Sequence, residues 1–154
     1  MKRSIFEPST LDEILSRIQK LTPNSHGRWG RLTSEQMIRH LNMACQMSFG
    51  EVVVADRSNF ITRSVVKWLF LSNIKPPGRE KGKIQTFPEV DIVSLKLHVE
   101  DLNKERADYQ AVLRRLVKTE ILVLKHPLFG TMSRNDWGFL CYAHADYHLT
   151  QFGV

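Results

Sequence analysis

Apolar side chains recur at helical spacing near the start of the chain. Between residues 9 and 21 they fall three or four positions apart and form one stripe, as on an amphipathic helix. Ser9 or Thr10 can serve as the N-cap of this helix. Acidic residues follow in the first turn, where the helix dipole favours them. The pattern therefore predicts a first helix over residues 9–21, with its apolar stripe at Leu11, Ile14, Leu15 and Ile18.

Capping signatures mark the start of two further helices. Thr33 is followed three residues later by Gln36, and Ser133 is followed by Asp136 at the same spacing. At this spacing two side chains satisfy backbone N–H groups at a helix start. The last helix is predicted to run to about residue 152. The second helix is predicted to begin at Thr33, and its inward stripe includes Met37, His40, Leu41 and Ala44.

The middle of the chain predicts two more helices and a long connection. Residues 58–71 form a third, very apolar helix, and residues 99–118 form a long one. Between them, residues 72–90 include the run Pro76-Pro77-Gly78, which excludes regular helix there, and a connection of this length is typical of a lid or binding loop. Alternation of period two is limited to residues 92–99. We therefore predict a single all-α domain over residues 1–154, a four-helix bundle with one extra helix and a long crossover loop.

Composition agrees with a folded, soluble protein. Hydrophobic residues make up 42% of the 154 positions and charged residues 25%, which is ordinary for a globular domain. No apolar run follows the basic residues at the start, and no stretch is long enough to cross a bilayer. Two cysteines form no disulfide framework. We expect a cytoplasmic protein that does not associate with membranes.

The net charge of +6 raises the question of a nucleic-acid partner. The basic residues are scattered, and the local groups, such as Arg79, Lys81 and Lys83, do not alternate with aromatic residues as in a single-strand binder. We interpret them as solvated surface, which argues against nucleic-acid binding. The third helix and its flanks are too apolar for the surface of a small bundle, so a homodimer is expected.

The last helix carries two histidines at a spacing suited to a metal ion. His144 and His148 lie four residues apart, about 40° around the helix axis and about 6 Å along it, so their imidazoles can converge. This pair alone is weak evidence for a metal site, because two histidines four residues apart also occur by chance. His40 lies on the inward stripe of the second helix, where an imidazole without a partner is costly to bury. A third histidine in this position strengthens the prediction of a metal site. Three histidines leave coordination positions open, as in catalytic zinc sites, and also suit nickel, iron or copper.

Other residues near this histidine pair have competing interpretations. Gln151, one turn after His148, is a candidate to orient a ligand or a water. Cys141, one turn before His144, can approach a metal as a thiolate, but core packing is favoured for a free cysteine. Asp146 and Tyr147 point away from the ligand direction, which argues against supporting roles. His126, before a proline, is interpreted as a turn residue.

Two motifs resemble those of the DinB/YfiT-like superfamily. One is His40 within the segment from Thr33 to Leu41, and the other is His144-x-x-x-His148-x-x-Gln151-Phe152. The segment His126-Pro127-Leu128-Phe129-Gly130 is similar to that of an uncharacterised bacterial branch. The resemblance covers nearly the whole chain and implies an up-down-down-up four-helix bundle that holds a divalent metal ion through His40, His144 and His148. Zinc and nickel are the ions that we expect.

The resemblance also implies two classes of function. Some relatives are metal-dependent transferases that conjugate low-molecular-weight thiols to electrophiles, so a thiol S-transferase or a hydrolase acting on a small molecule is expected. The alternative is a non-catalytic binding or stress-response module whose histidines are structural or vestigial. Leu149 supports that alternative, because many relatives have arginine directly after the last histidine.

Overall fold

The computed structural model describes residues 3–71 and 86–154, and this part of the chain is mostly helical. It contains five α-helices and one sheet of two antiparallel strands. Short 3-10 turns follow α2 and precede α4. The elements are α1 (Pro8–Gln19), α2 (Ser34–Gln46), α3 (Lys67–Leu71), α4 (Leu102–Lys118), β1 (Lys125–His126), β2 (Gly130–Thr131) and α5 (Arg134–Gln151).

The predicted capping signatures fix the starts of α2 and α5. Thr33 Oγ1 accepts from the Gln36 backbone N–H at 3.3 Å, and the Gln36 side chain accepts from the Thr33 N–H at 3.1 Å. Ser133 and Asp136 exchange the same two hydrogen bonds before α5, at 3.1 and 3.0 Å. Both helices therefore begin within one residue of the predicted position, because the cap is a local interaction.

The other helix boundaries differ slightly from the prediction. Helix α1 begins with Pro8 in its first turn, where a missing N–H costs nothing, and it ends two residues earlier than expected. Helix α4 begins at Leu102 and not near residue 99, because the Asp101 side chain accepts from the Lys104 N–H at 2.9 Å. Leu21, beyond the end of α1, still lies in the core.

One hydrophobic core joins the four long helices. Helix α2 packs against α4 and α5, and α1 packs against the same two helices. The shorter α3 packs against α5. The largest fully buried side chains come from all four long helices and from the segments beside them, and they include Ile14, Ile18, Met37, Leu41, Tyr109, Leu113 and Trp137.

A short hairpin, which the all-α prediction did not include, forms around the turn over residues 126–130 of this mostly helical chain. Lys125 pairs with Thr131, and His126 pairs with Gly130, in a short antiparallel hairpin. Gly130 has a φ of +66°, which a residue without a side chain adopts at low cost. Residues 92–99, where alternation suggested extended structure, form turns and irregular backbone. Residues 72–85, with the basic group at Arg79, Lys81 and Lys83, lie outside the described residues.

The third helix is not the regular α-helix predicted over residues 58–71. A π-helical stretch, Thr62–Val66, leads into α3. Four large apolar side chains of this segment are more than half exposed: Phe60 at 85%, Ile61 at 62%, Val65 at 54% and Trp68 at 60%. Across residues 3–71 and 86–154, no helix has the length and apolar content that a membrane span requires.

The exposed apolar side chains of this segment lead to a prediction about assembly. We expect a concentration-dependent dimer in sedimentation velocity, because a contiguous exposed apolar surface favours association. Replacing Trp68 with glutamate should shift the population to monomer, whereas Leu97→Glu, outside this segment, should not. A wild-type protein that sediments only as a monomer at high concentration contradicts the prediction.

Candidate metal centre

Three histidine nitrogens from α2 and α5 meet at one point. His40 Nε2 lies 3.1 Å from His144 Nε2, and His148 Nε2 lies 3.2 Å from the same atom. All three candidate ligand atoms lie within 4.8 Å of one another. A tetrahedral zinc ion with Zn–N bonds of about 2.0–2.1 Å would place neighbouring nitrogens about 3.3 Å apart. Two of the three nitrogen–nitrogen distances match this spacing, and the third pair lies within 4.8 Å, so the three imidazoles could hold a single ion.

Helix packing sets the positions of these ligands. His144 and His148 are one helical turn apart on α5, and the contact between α2 and α5 brings His40 to them. Beside His40, Arg39 donates to the buried Glu105 of α4 at 2.6 Å, which ties this turn of α2 to the neighbouring helix. The histidines thus lie on rigid elements and not on loops.

The outer nitrogen of two ligands is held by a hydrogen-bond acceptor. His40 Nδ1 lies 2.9 Å from the carbonyl oxygen of Val90, and His148 Nδ1 lies 2.8 Å from Gln151 Oε1. The amide orientation of Gln151 is fixed because its Nε2 donates to the Trp29 carbonyl. Each Nδ1 therefore carries the proton of a neutral ring, and each Nε2 directs a lone pair to the centre.

Lone pairs that converge on one point repel one another, so this arrangement favours a cation between the rings. His144 Nε2 faces the lone pairs of both His40 and His148, yet it can donate at most one hydrogen bond. Burial lowers the pKa of His40. Burial, together with the neighbouring His148, His40 and His126, holds the pKa of His144 well below its usual range. These two rings therefore favour the neutral form near pH 7, which is the form that binds metal ions.

A loop with glycines at positions 27 and 30 supports Gln151. A side chain at Gly30, where φ is +82°, would place its Cβ 2.6 Å from Gln151 Nε2. The Trp29 indole N–H donates to the Tyr147 hydroxyl at 3.1 Å. The two glycines around a tryptophan were the available signal, but they do not indicate which residue the loop encloses.

The two residues expected to point away from the centre differ in their surroundings. The Tyr147 ring lies edge-on to His148, with 4.9 Å between ring centres, so Tyr147 contacts a ligand ring although its helical angle argued against a supporting role. Asp146 forms an ion pair with Arg17 of α1 at 2.9 Å. Asp146 thus joins two helices, while Tyr147 limits the freedom of a ligand ring.

Cys141 packs in the core beside a second thiol. Its Sγ lies 4.0 Å from the Sγ of Cys45, and both residues are buried and reduced. Contact with Cys141 and burial raise the pKa of the Cys45 thiol well above its usual range. Among the described residues, the group that could hold a metal ion consists of the three histidines without Cys141. A buried thiol with a raised pKa is a poor nucleophile.

The support of His148 by Gln151 predicts an effect on metal affinity. Replacing Gln151 with alanine removes the acceptor for His148 Nδ1–H, and loss of such a partner typically weakens metal binding by about 10–100-fold. We expect this decrease in a competition titration with a chromogenic chelator, and no change for the exposed control Gln19→Ala. Equal affinity in the wild type and Gln151→Ala would show that the contact does not orient His148.

Comparison with known proteins gives one match. A family model described as "Protein of unknown function (DUF1569)" matches residues 2–153. No curated protein and no solved structure matches the chain.

Proposed function

The chain belongs to the DUF1569 family of unknown function, and we propose from its own residues that it is a metal-dependent enzyme. One observation carries the proposal. Three neutral imidazoles direct their Nε2 atoms to one point, with neighbouring nitrogens 3.1 and 3.2 Å apart, and two of them are oriented from behind by Val90 and Gln151. We take His40, His144 and His148 to be the ligands.

We also infer that the fold is a four-helix bundle of the DinB/YfiT-like type. Support comes from the contacts of the long helices, since α1 and α2 each pack against both α4 and α5. The up-down-down-up order follows from the resemblance, as does the placement of one ligand on the second long helix and two on the last. The long crossover predicted over residues 72–90 lies largely outside the described residues.

Zinc and nickel are the ions proposed for this site. A set of three imidazoles suits either ion, and a three-ligand set leaves at least one position for water or substrate. A bound ion supplies Lewis-acid chemistry, which lowers the pKa of a bound water or thiol toward neutrality. The residues of this chain hold the imidazoles neutral and fix their direction.

The reaction proposed is thiol transfer or hydrolysis on a small molecule. In a thiol transfer, the sulfur forms a bond to an electrophilic carbon, the leaving group departs with its electron pair, and the thiol proton passes to solvent. In a hydrolysis, water takes the place of the thiol. A low-molecular-weight thiol is the substrate class that we propose first, because Cys45 and Cys141 are occupied with each other and offer no nucleophile of the protein's own.

The test combines reconstitution with an activity screen. Protein loaded with zinc or nickel is assayed for conjugation of low-molecular-weight thiols to alkyl halides and epoxides, and for ester and amide hydrolysis. We expect turnover that chelator and His148→Ala both abolish and that His98→Ala retains. A protein that binds metal stoichiometrically but turns over nothing in this panel would favour the binding-module alternative. Turnover that persists after chelation would contradict the metal mechanism.

A further inference from the structure

His126, which the proposed chemistry does not use, is a buried ring with a fixed tautomer. It is 5% exposed, at the end of β1. Its Nδ1 accepts hydrogen bonds from the backbone N–H groups of Leu128 at 3.1 Å and Phe129 at 3.2 Å. A ring nitrogen that accepts these bonds carries no proton, so the proton of the neutral ring is on Nε2. His126 therefore presents Nε2–H as a donor.

The surroundings of His126 keep this donor rigid and uncharged. The ring stacks on Phe129 with 4.6 Å between centres and 15° between planes, and it contacts Trp137 at 5.4 Å and Phe87 at 6.1 Å. Burial and the nearby charge of Lys67 lower the pKa of His126 to about 4. The hydrogen bonds of the ring to residues 128 and 129 are both made at Nδ1, on the side opposite to Nε2–H.

A short segment of chain connects His126 with the metal centre. Phe87 contacts the His126 ring, and three residues later the Val90 carbonyl accepts from His40 Nδ1. The segment from Phe87 to Val90 therefore contacts both His126 and a proposed ligand. In a 3-10 turn this segment spans only about 6 Å, so the two histidines border the same region.

The His126 ring contacts the same face of helix α5 that carries the proposed ligand His144. Trp137, which contacts His126, precedes His144 by seven residues, or about two turns on one face of the helix. His126 is also close enough to His144 to contribute to the lowered pKa of that ring. Along α5, the residue that contacts the His126 ring is thus about two helical turns, roughly 10 Å, from the proposed ligand His144.

We propose that His126 is a substrate-binding residue whose Nε2–H donates a hydrogen bond to a carboxylate or carbonyl oxygen of the thiol held at the metal. This inference rests on the proposed function, since the thiol binds at the open metal position. An N–H donor binds an acceptor oxygen that carries negative charge more strongly than a neutral one, and the nearby Lys67 is itself paired with Asp136 at 3.2 Å. The separation of the two groups selects an elongated thiol with its oxygen several bonds from its sulfur.

Two substitutions separate binding from folding. His126→Asn keeps a short side-chain oxygen that can accept from the N–H groups of Leu128 and Phe129, but it loses the donor at the position of Nε2. His126→Gln loses that acceptor but carries an amide N–H that reaches the position of Nε2. If His126 has only a structural role, asparagine should preserve the fold and the ligand affinity better than glutamine does. If His126 binds the ligand, the glutamine variant should have the higher ligand affinity.

The test uses cobalt-loaded protein and the thiolate-to-cobalt absorption band. The probes are 6-mercaptohexanoate and, as the uncharged control, 6-mercaptohexanol. We expect His126→Asn to weaken 6-mercaptohexanoate binding by roughly 10-fold or more, the effect of losing a hydrogen bond to a charged group, with 6-mercaptohexanol affinity within about 2-fold of wild type. His126→Gln should retain more of the 6-mercaptohexanoate affinity than His126→Asn.

The outcomes distinguish this inference from the proposed function. If the wild type binds cobalt and both thiols, and His126→Asn changes neither affinity or both equally, His126 does not bind the carboxylate and the metal function stands. If the wild type gives no cobalt spectrum or no thiolate band, the proposed function fails and this inference fails with it. Thermal melts of both variants verify that they are folded before the titrations.

Discussion

Zinc or nickel at about a thousand times its dissociation constant is expected to raise the free energy of unfolding by about 4 kcal/mol. The reason is linkage, because the ion binds three histidines that only the folded chain brings together. For a domain of this size the gain corresponds to a rise in melting temperature of roughly 10 °C. Calorimetry or circular dichroism of the metal-free and metal-loaded protein measures it.

Two histidine variants make this melting experiment specific. His148→Ala removes a central ligand and should abolish the rise. His98→Ala changes a histidine whose side chain is 82% exposed, next to Glu100, and should leave the rise intact. Equal stabilisation of His148→Ala and the wild type would place the ion elsewhere on the chain.

Acid is expected to destabilise the metal-free protein through His126, by up to about 3 kcal/mol between pH 6.5 and pH 4. Burial lowers the pKa of His126 from 6.5 to about 4 in the folded state. In this window the unfolded chain therefore binds a proton that the folded ring does not. The resulting stability is fully present above pH 6.5 and is lost as the pH falls toward 4.

Denaturant unfolding in the presence of chelator, at several pH values, measures this loss. His40 and His144 also have lowered pKa values, so acid weakens the wild type through them as well. His126→Asn keeps those two rings and removes only one titrating group, so its acid-dependent loss should be smaller by about 3 kcal/mol. If the variant and the wild type lose the same stability in acid, the buried His126 ring is not the cause of the acid-dependent loss.

Local interactions explain what could be predicted from the sequence. The starts of α2 and α5 depend on side chains three residues apart, Thr33 with Gln36 and Ser133 with Asp136, so the sequence contains the whole interaction. The convergence of His144 and His148 depends only on helix geometry. His40 required one further assumption, that its apolar stripe faces the last helix.

Contacts between distant segments explain what could not be predicted. The Val90 carbonyl behind His40 and the Trp29 carbonyl behind Gln151 are backbone groups, and no side-chain pattern indicates where a backbone oxygen will lie. Tyr147 contacts His148 although its helical angle points away from the ligands, because helical angles ignore the reach of a long side chain.

The most direct test of the proposed metal centre is elemental analysis of the protein produced without a histidine tag, alongside His40→Ala. We expect close to one zinc or nickel ion per wild-type chain and almost none in the variant. His40→Ala removes a ligand itself, so its effect should exceed the roughly 10–100-fold loss of affinity that follows from losing an outer partner. A wild-type protein without metal after incubation with zinc and nickel, or a variant with the same content, would contradict a metal centre at His40, His144 and His148.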